Sequence, residues 1–171
     1  MPRIALDLNK EADRRKVKAT WRRATGLVPG ELNEGLISQL ADSPARLKEY
    51  DDTSWEVCPD IRESVSAGFT FAWYRITVEV PDALDGVPVT GMRMLFETNI
   101  DNYAEIWVDG QLDRAVGPIL GINAQHRVEV TQRAVRGTRH VIACLAANGP
   151  LAEPRGGVYI RFATLAWESA G

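Results

Sequence analysis

The amino-acid sequence predicts an all-β fold, an antiparallel β-sandwich of the jelly-roll kind, spanning residues 51–171. Three observations carry the prediction. Apolar and polar residues alternate with a period of two in several segments between Phe71 and Trp167, which is the pattern of strands with one face in a core. Turn residues separate these segments at short intervals. The strongest of these is Asp109-Gly110, a pair suited to a two-residue hairpin turn. Many short strands with little convincing helix indicate a sandwich rather than a layered α/β fold.

Residues 1–50 read as an N-terminal extension that packs on the sandwich. Asn9 to Arg23 is charged, with few apolar positions, and fits a short extended or helical stretch running into a strand near Val17 to Arg23. Leu32, Leu36, Ile37 and Leu40 fall at helical spacing and predict a short helix within 31–47, stopped by Ser43-Pro44. A turn-rich bridge over 51–67 leads into the strands. Phe71 to Val80 places Tyr74, Ile76, Val78 and Val80 on one face and Trp73, Arg75, Thr77 and Glu79 on the other. Gly91 to Thr98 aligns Met92, Met94 and Phe96. Tyr103 to Val108 turns Ala104, Ile106 and Val108 one way and Tyr103, Glu105 and Trp107 the other. Arg127 to Thr131, Arg139 to Ala146 and Gly157 to Trp167 complete the set.

The chain has 171 residues and a formal net charge of −3, without the basic excess of a nucleic-acid-binding protein. The cluster Arg14, Arg15, Lys16, Lys18, Arg22 and Arg23 reads as a solvated face. No apolar run approaches the roughly 20 residues of a membrane span, and the first residues do not form a signal peptide. These features lead to the expectation of a cytoplasmic protein with no membrane partner. Cys58 and Cys144 are read as reduced thiols in or near the core, with a disulfide as the alternative.

Several motifs resemble a known type of domain. The run Tyr50-Asp-Asp-Thr-Ser-Trp55 looks like the opening of galactose-binding-like jelly rolls, such as the sugar-binding domain of family 2 glycoside hydrolases. Trp73 to Thr77 and Tyr103 to Gly110 resemble the next strand and the central hairpin of those domains. The order of motifs is also similar to that of the accessory domain at the N-terminus of some bacterial gluconolactonase-like proteins of the senescence-marker type. It is carried by Asp51 to Val57, Arg62 to Ser64, Phe71 to Arg75, Asp101 to Gly110, Asn123 to Val128 and Asn148 to Leu151. The propeller that performs lactonase chemistry in those proteins is absent from this sequence, so no lactonase activity is implied. What the resemblance implies is a jelly roll whose end loops often hold a carbohydrate.

The residues themselves suggest where a ligand would sit. Tyr103, Glu105 and Trp107, with Asn102 beside them, combine aromatic faces and hydrogen-bonding groups, as sugar sites do. The alternative is that this face packs under a loop, with Glu105 paired to Arg75. Trp73 and Arg75 share a face and would lie beside the group if their strands pair. Asn123, His126 and Asn148 are the polar groups of the loops expected at one end. The expectation is therefore a non-catalytic module binding a carbohydrate or related polar small molecule through Trp73, Arg75, Asn102, Tyr103, Glu105, Trp107, Asn123, His126 and Asn148. Two alternatives stand beside it. An accessory protein would form a homodimer or dock on a partner enzyme through the apolar loop Pro118 to Ile122. A small lyase, isomerase or hydrolase acting on a sugar-like or lactone-like substrate would use Glu105, His126 and Arg75. No metal-binding spacing is present, and no cofactor is expected. A structural calcium would draw on Asp51, Asp52, Glu168 and nearby carbonyls.

Overall fold

The computed structural model describes residues 3–26, 29, 43–64, 70–100, 103–112, 119–120 (backbone only), 125–148 and 157–169. Thirteen strands appear in it, β1 Arg3–Asp7, β2 Trp21–Thr25, β3 Glu56–Val57, β4 Phe71–Glu79, β5 Ala83–Leu84, β6 Val87–Pro88, β7 Arg93–Ile100, β8 Tyr103–Val108, β9 Gln111–Leu112, β10 Ile119–Leu120, β11 Gln125–Thr131, β12 Arg139–Ala147 and β13 Ile160–Glu168. A helix α1, Glu11–Lys16, and a 3-10 turn, Pro44–Arg46, accompany them. Every strand pairing is antiparallel. One sheet has the order β1-β13-β7-β11, a second runs β10-β8-β12-β4-β2-β3 with β9 beside β8, and β5 and β6 form a separate two-stranded pair. The fold is the expected all-β sandwich.

The alternation read from the sequence is the alternation of the sheets. Tyr74, Ile76 and Val78 of β4, Ala104 and Ile106 of β8, and Met94 and Phe96 of β7 join one buried cluster between the two sheets. The Asp109-Gly110 turn has φ of +48° and +78°, the left-handed pair that a two-residue hairpin turn needs. It joins β8 to β9.

The N-terminal segment departs from expectation. It is not an extension laid on a finished sandwich. β1 is an edge strand of the four-stranded sheet, pairing with β13 from Arg3↔Glu168 to Asp7↔Thr164. β2 lies between β4 and β3 in the other sheet. Leu6, Leu8 and Trp21 are buried in the central cluster, and the Trp21 indole N–H donates to the Leu8 carbonyl at 3.0 Å. The basic cluster is likewise only partly a solvated face. Arg14 is buried, its guanidinium donating to the carbonyls of Leu8 at 2.9 Å and Asn9 at 2.7 Å. The helix expected within 31–47 lies mostly outside the described residues. Only the 3-10 turn at its end is seen.

Cys58 and Cys144 are both buried free thiols, which excludes the alternative of a disulfide between them. Burial raises both above the ordinary thiol value. No helix of the described residues is long and apolar enough to cross a membrane.

Candidate functional site

The outer face of the larger sheet carries a second apolar cluster. Phe71 and Trp73 of β4 and Ala143, Leu145 and Ala147 of β12 form its floor, and Ala45 and Trp55 cover it from above. Tyr50, Tyr103 and Trp107 pack at its margins. The cover is the segment 43–57, which crosses the sheet because the floor is apolar and two of its positions are alanines that admit close approach.

Arg75 ties this cover down. Its side chain is 1% exposed and stands in the middle of the floor. Nε donates to Asp52 Oδ2 at 2.9 Å, Nη1 donates to the carbonyls of Ala45 and Leu47, and Nη2 donates to the Tyr50 carbonyl at 3.3 Å. The guanidinium also lies 5.4 Å from the centre of the Tyr50 ring. A planar fork of five donors can satisfy so many acceptors at once, whereas an ammonium cannot.

This arrangement corrects the expected site. Trp73 and Arg75 do not lie beside Tyr103, because β12 runs between β4 and β8. Both are fully covered, with no surface for a ligand. Arg75 pairs with Asp52, not with Glu105. The Glu105 carboxylate instead accepts from the Tyr103 hydroxyl at 2.5 Å and from the Trp107 indole N–H at 3.1 Å. Burial and the neighbouring Glu105 carboxylate push the Tyr103 hydroxyl well above its ordinary range. Tyr103 and Trp107 are half-buried, and the Arg46 guanidinium sits 5.6 Å from the Trp107 ring centre. This margin of the face is a self-bonded polar and aromatic patch.

The other expected residues are scattered. His126 lies on β11, in the opposite sheet, so Glu105, His126 and Arg75 do not form a catalytic group. Burial holds the His126 imidazole below its ordinary value. Asn148 is buried beyond the end of β12, its backbone N–H donating to Thr70. Asn102 and Asn123 are outside the described residues, as are the side chains of the apolar loop at 118–122, apart from its short backbone pairing with β8. The carboxylates expected around calcium do not converge. Asp51 accepts from the Thr53 backbone N–H, Asp52 is held by Arg75, and Glu168 pairs with Arg3 and Arg127 on the opposite sheet. No cluster of three metal-ligating residues occurs among the described residues.

At the β2–β3 edge of this sheet lies a cleft of about 480 Å³. Its described walls include Arg23 and Thr25 of β2 and Tyr50, Ser54, Trp55 and Glu56 of the covering segment, with Ser64 nearby. The rings of Tyr50 and Trp55 are 5.5 Å apart at 58°, and the Trp55 indole N–H donates to the Tyr50 hydroxyl at 3.3 Å. Arg23 and Glu56 are cross-strand partners joined by two contacts of 3.1 and 2.9 Å. Thr25, Ser54 and Ser64 are exposed. Aromatic surface beside hydroxyls and a fixed ion pair suits a polar, ring-shaped ligand. Sequence reasoning missed this place. Tyr50 to Trp55 marked the fold, and Arg23 was read as solvated. The covering path of 43–57, which brings the two together, has no periodic signature in sequence.

No protein-family model matches the chain, and none of the curated proteins matches it. The solved structures do share its fold. A β-glucuronidase from Bacteroides uniformis aligns with a TM-score of 0.64 at 16% identity, over 98% of this chain and 18% of that one. A β-glucuronidase from Faecalibacterium prausnitzii aligns with a TM-score of 0.61 at 16% identity, over 96% and 31%. A glycosyl hydrolase family 2 member from Bacteroides cellulosilyticus aligns with a TM-score of 0.60 at 14% identity, over 96% and 21%. The chain thus spans less than a third of each of these proteins. At such identities the likeness is one of fold, an all-β antiparallel sandwich.

Proposed function

We propose that the chain is a non-catalytic binding module for a carbohydrate or a related polar small molecule. The observation that carries this reading is the cleft bounded by Tyr50, Trp55 and the Arg23–Glu56 pair. There, aromatic rings, hydroxyls and a charged pair line one concavity. The fold supports the reading, since it recurs inside two β-glucuronidases and a glycosyl hydrolase family 2 member, each far longer than this chain. So does the resemblance of its sequence motifs to galactose-binding-like jelly rolls, whose end loops often hold a carbohydrate.

Titration of a panel of methyl glycosides, followed by tryptophan fluorescence and calorimetry, tests the proposal. At least one glycoside is expected to bind, and Tyr50→Ala is expected to weaken it by roughly tenfold or more, the loss of one ring contact in a small ligand. Trp107→Ala is expected to leave binding within about twofold of wild type, because that ring lies at the opposite margin of the face. Loss of binding in Trp107→Ala with Tyr50→Ala unaffected would move the site to the Tyr103, Glu105 and Trp107 patch. A panel with no binder would sink the proposal.

A further inference from the structure

The charge geometry of the cleft narrows the ligand class, on the reading that the cleft is a sugar site. We infer that it selects neutral glycosides and rejects uronates and other anionic sugars, with the Glu56 carboxylate as the acceptor for ligand hydroxyls.

Arg23 is the one cationic side chain in the described lining of the cleft, and each of its three nitrogens already has a partner. Nε and Nη2 point to the two oxygens of Glu56 at 3.1 and 2.9 Å, and Nη1 lies 3.8 Å from the Cys58 sulfur. The side chain of Arg23 is 12% exposed and that of Glu56 is 64% exposed. An incoming ligand therefore meets the carboxylate, with the guanidinium behind it. The neighbouring cation, Arg22, stands on the other face of β2 and is engaged by the Asp52 carboxylate at 3.7 Å and by the carbonyls of Thr53 and Trp55. Each carboxylate oxygen has about two acceptor positions. Arg23 uses one on each oxygen, which leaves both oxygens able to accept from a vicinal pair of hydroxyls. A ligand carboxylate at the same place would face like charge at short range, and the nearest described cations, Arg23 and Arg22, are already engaged by Glu56 and Asp52. The register of β2 and β3 sets Arg23 opposite Glu56, so this polarity is built into the sheet. The hydrogen bonds from Arg23 also hold the Glu56 carboxyl below its ordinary value.

The test compares methyl β-D-glucopyranoside and methyl β-D-galactopyranoside with D-glucuronate by calorimetry at neutral pH and low salt, in wild type and in Glu56→Ala. Far-ultraviolet circular dichroism confirms that the variant is folded. In wild type, a neutral glycoside is expected to bind roughly tenfold or more tightly than glucuronate, the scale of a charge-assisted hydrogen bond. Glu56→Ala removes the acceptor and uncovers Arg23. The neutral glycoside should then weaken by about tenfold and glucuronate should strengthen, reversing the preference. Glucuronate binding wild type as tightly as the neutral sugars, or a preference unmoved in Glu56→Ala, overturns the inference and leaves the module reading intact. Failure of every sugar to bind either protein overturns both.

Discussion

Arg75 shows how one side chain can decide the character of a surface. In the sequence it alternates with core residues and reads as the cationic member of an exposed face. In the structure it is a buried guanidinium whose partners all belong to residues 45–52. Replacing it with an apolar residue of similar length would leave several buried carbonyls without a donor and Asp52 with only the more distant Arg22, at 3.7 Å. Arg75→Met is expected to destabilise the protein by about 3–5 kcal/mol, as is usual when one partner of a buried ionic group is removed. Arg75→Lys should recover only part of that, since an ammonium cannot reach both sides of the fork. Urea unfolding of the three proteins reads the order directly. A loss below about 1 kcal/mol in Arg75→Met, the value of an exposed pair, would refute the buried role.

At the scale of elements, the β8–β9 hairpin and the covering segment support each other. The Asp109 carboxylate accepts from the Val141 backbone N–H at 2.8 Å, contacts His140 Nδ1 at 2.8 Å and lies 3.2 Å from the Lys48 ammonium. Burial alone would raise its pKa, but these three donors outweigh burial and hold it below the ordinary value of 3.8. A depressed folded value stabilises the charged form. The contribution is therefore complete above the ordinary carboxylate value and declines as acid takes the pH down through the lower folded one. Asp109→Asn should be less stable than wild type at neutral pH, and the gap should narrow as acid takes the pH below the ordinary carboxylate value and through the lower folded one. Paired denaturation curves at neutral and acid pH check this, and a gap that widens in acid would contradict it. The short strands β3 and β10 belong to the same scale. Each is two residues long, so neither offers the long flat edge that invites pairing with another chain.

For the whole molecule, the N-terminal residues complete both sheets. Leu6 sits in the central cluster with Leu165 and Trp167. Leu6→Ala should cost about 2–5 kcal/mol, the range for a buried leucine truncated in a packed core. Unfolding should remain a single transition by tryptophan fluorescence and by circular dichroism, as expected of one cooperative unit. Two separate transitions would show instead that residues 3–25 form a layer independent of the sandwich.

The six long strands from β4 to β13 were legible because a strand with one buried face must alternate, and alternation needs no knowledge of partners. The turn at Asp109-Gly110 was legible because few residue pairs tolerate two left-handed conformations in succession. The strand β1 was not legible. Five residues at an edge carry too little pattern, and its pairing with β13 joins positions more than 150 residues apart. The candidate site divides in the same way. The sequence by itself determined that Tyr103, Glu105 and Trp107 share one face and that Trp73 and Arg75 share another, because period-two geometry depends only on local backbone. Only the tertiary structure decided that β12 separates the two groups, that residues 43–57 cover the middle of the face, and that a cleft forms where Tyr50 and Trp55 meet Arg23 and Glu56. Strand order and the path of an aperiodic segment depend on long-range packing, which leaves no local signal in the chain.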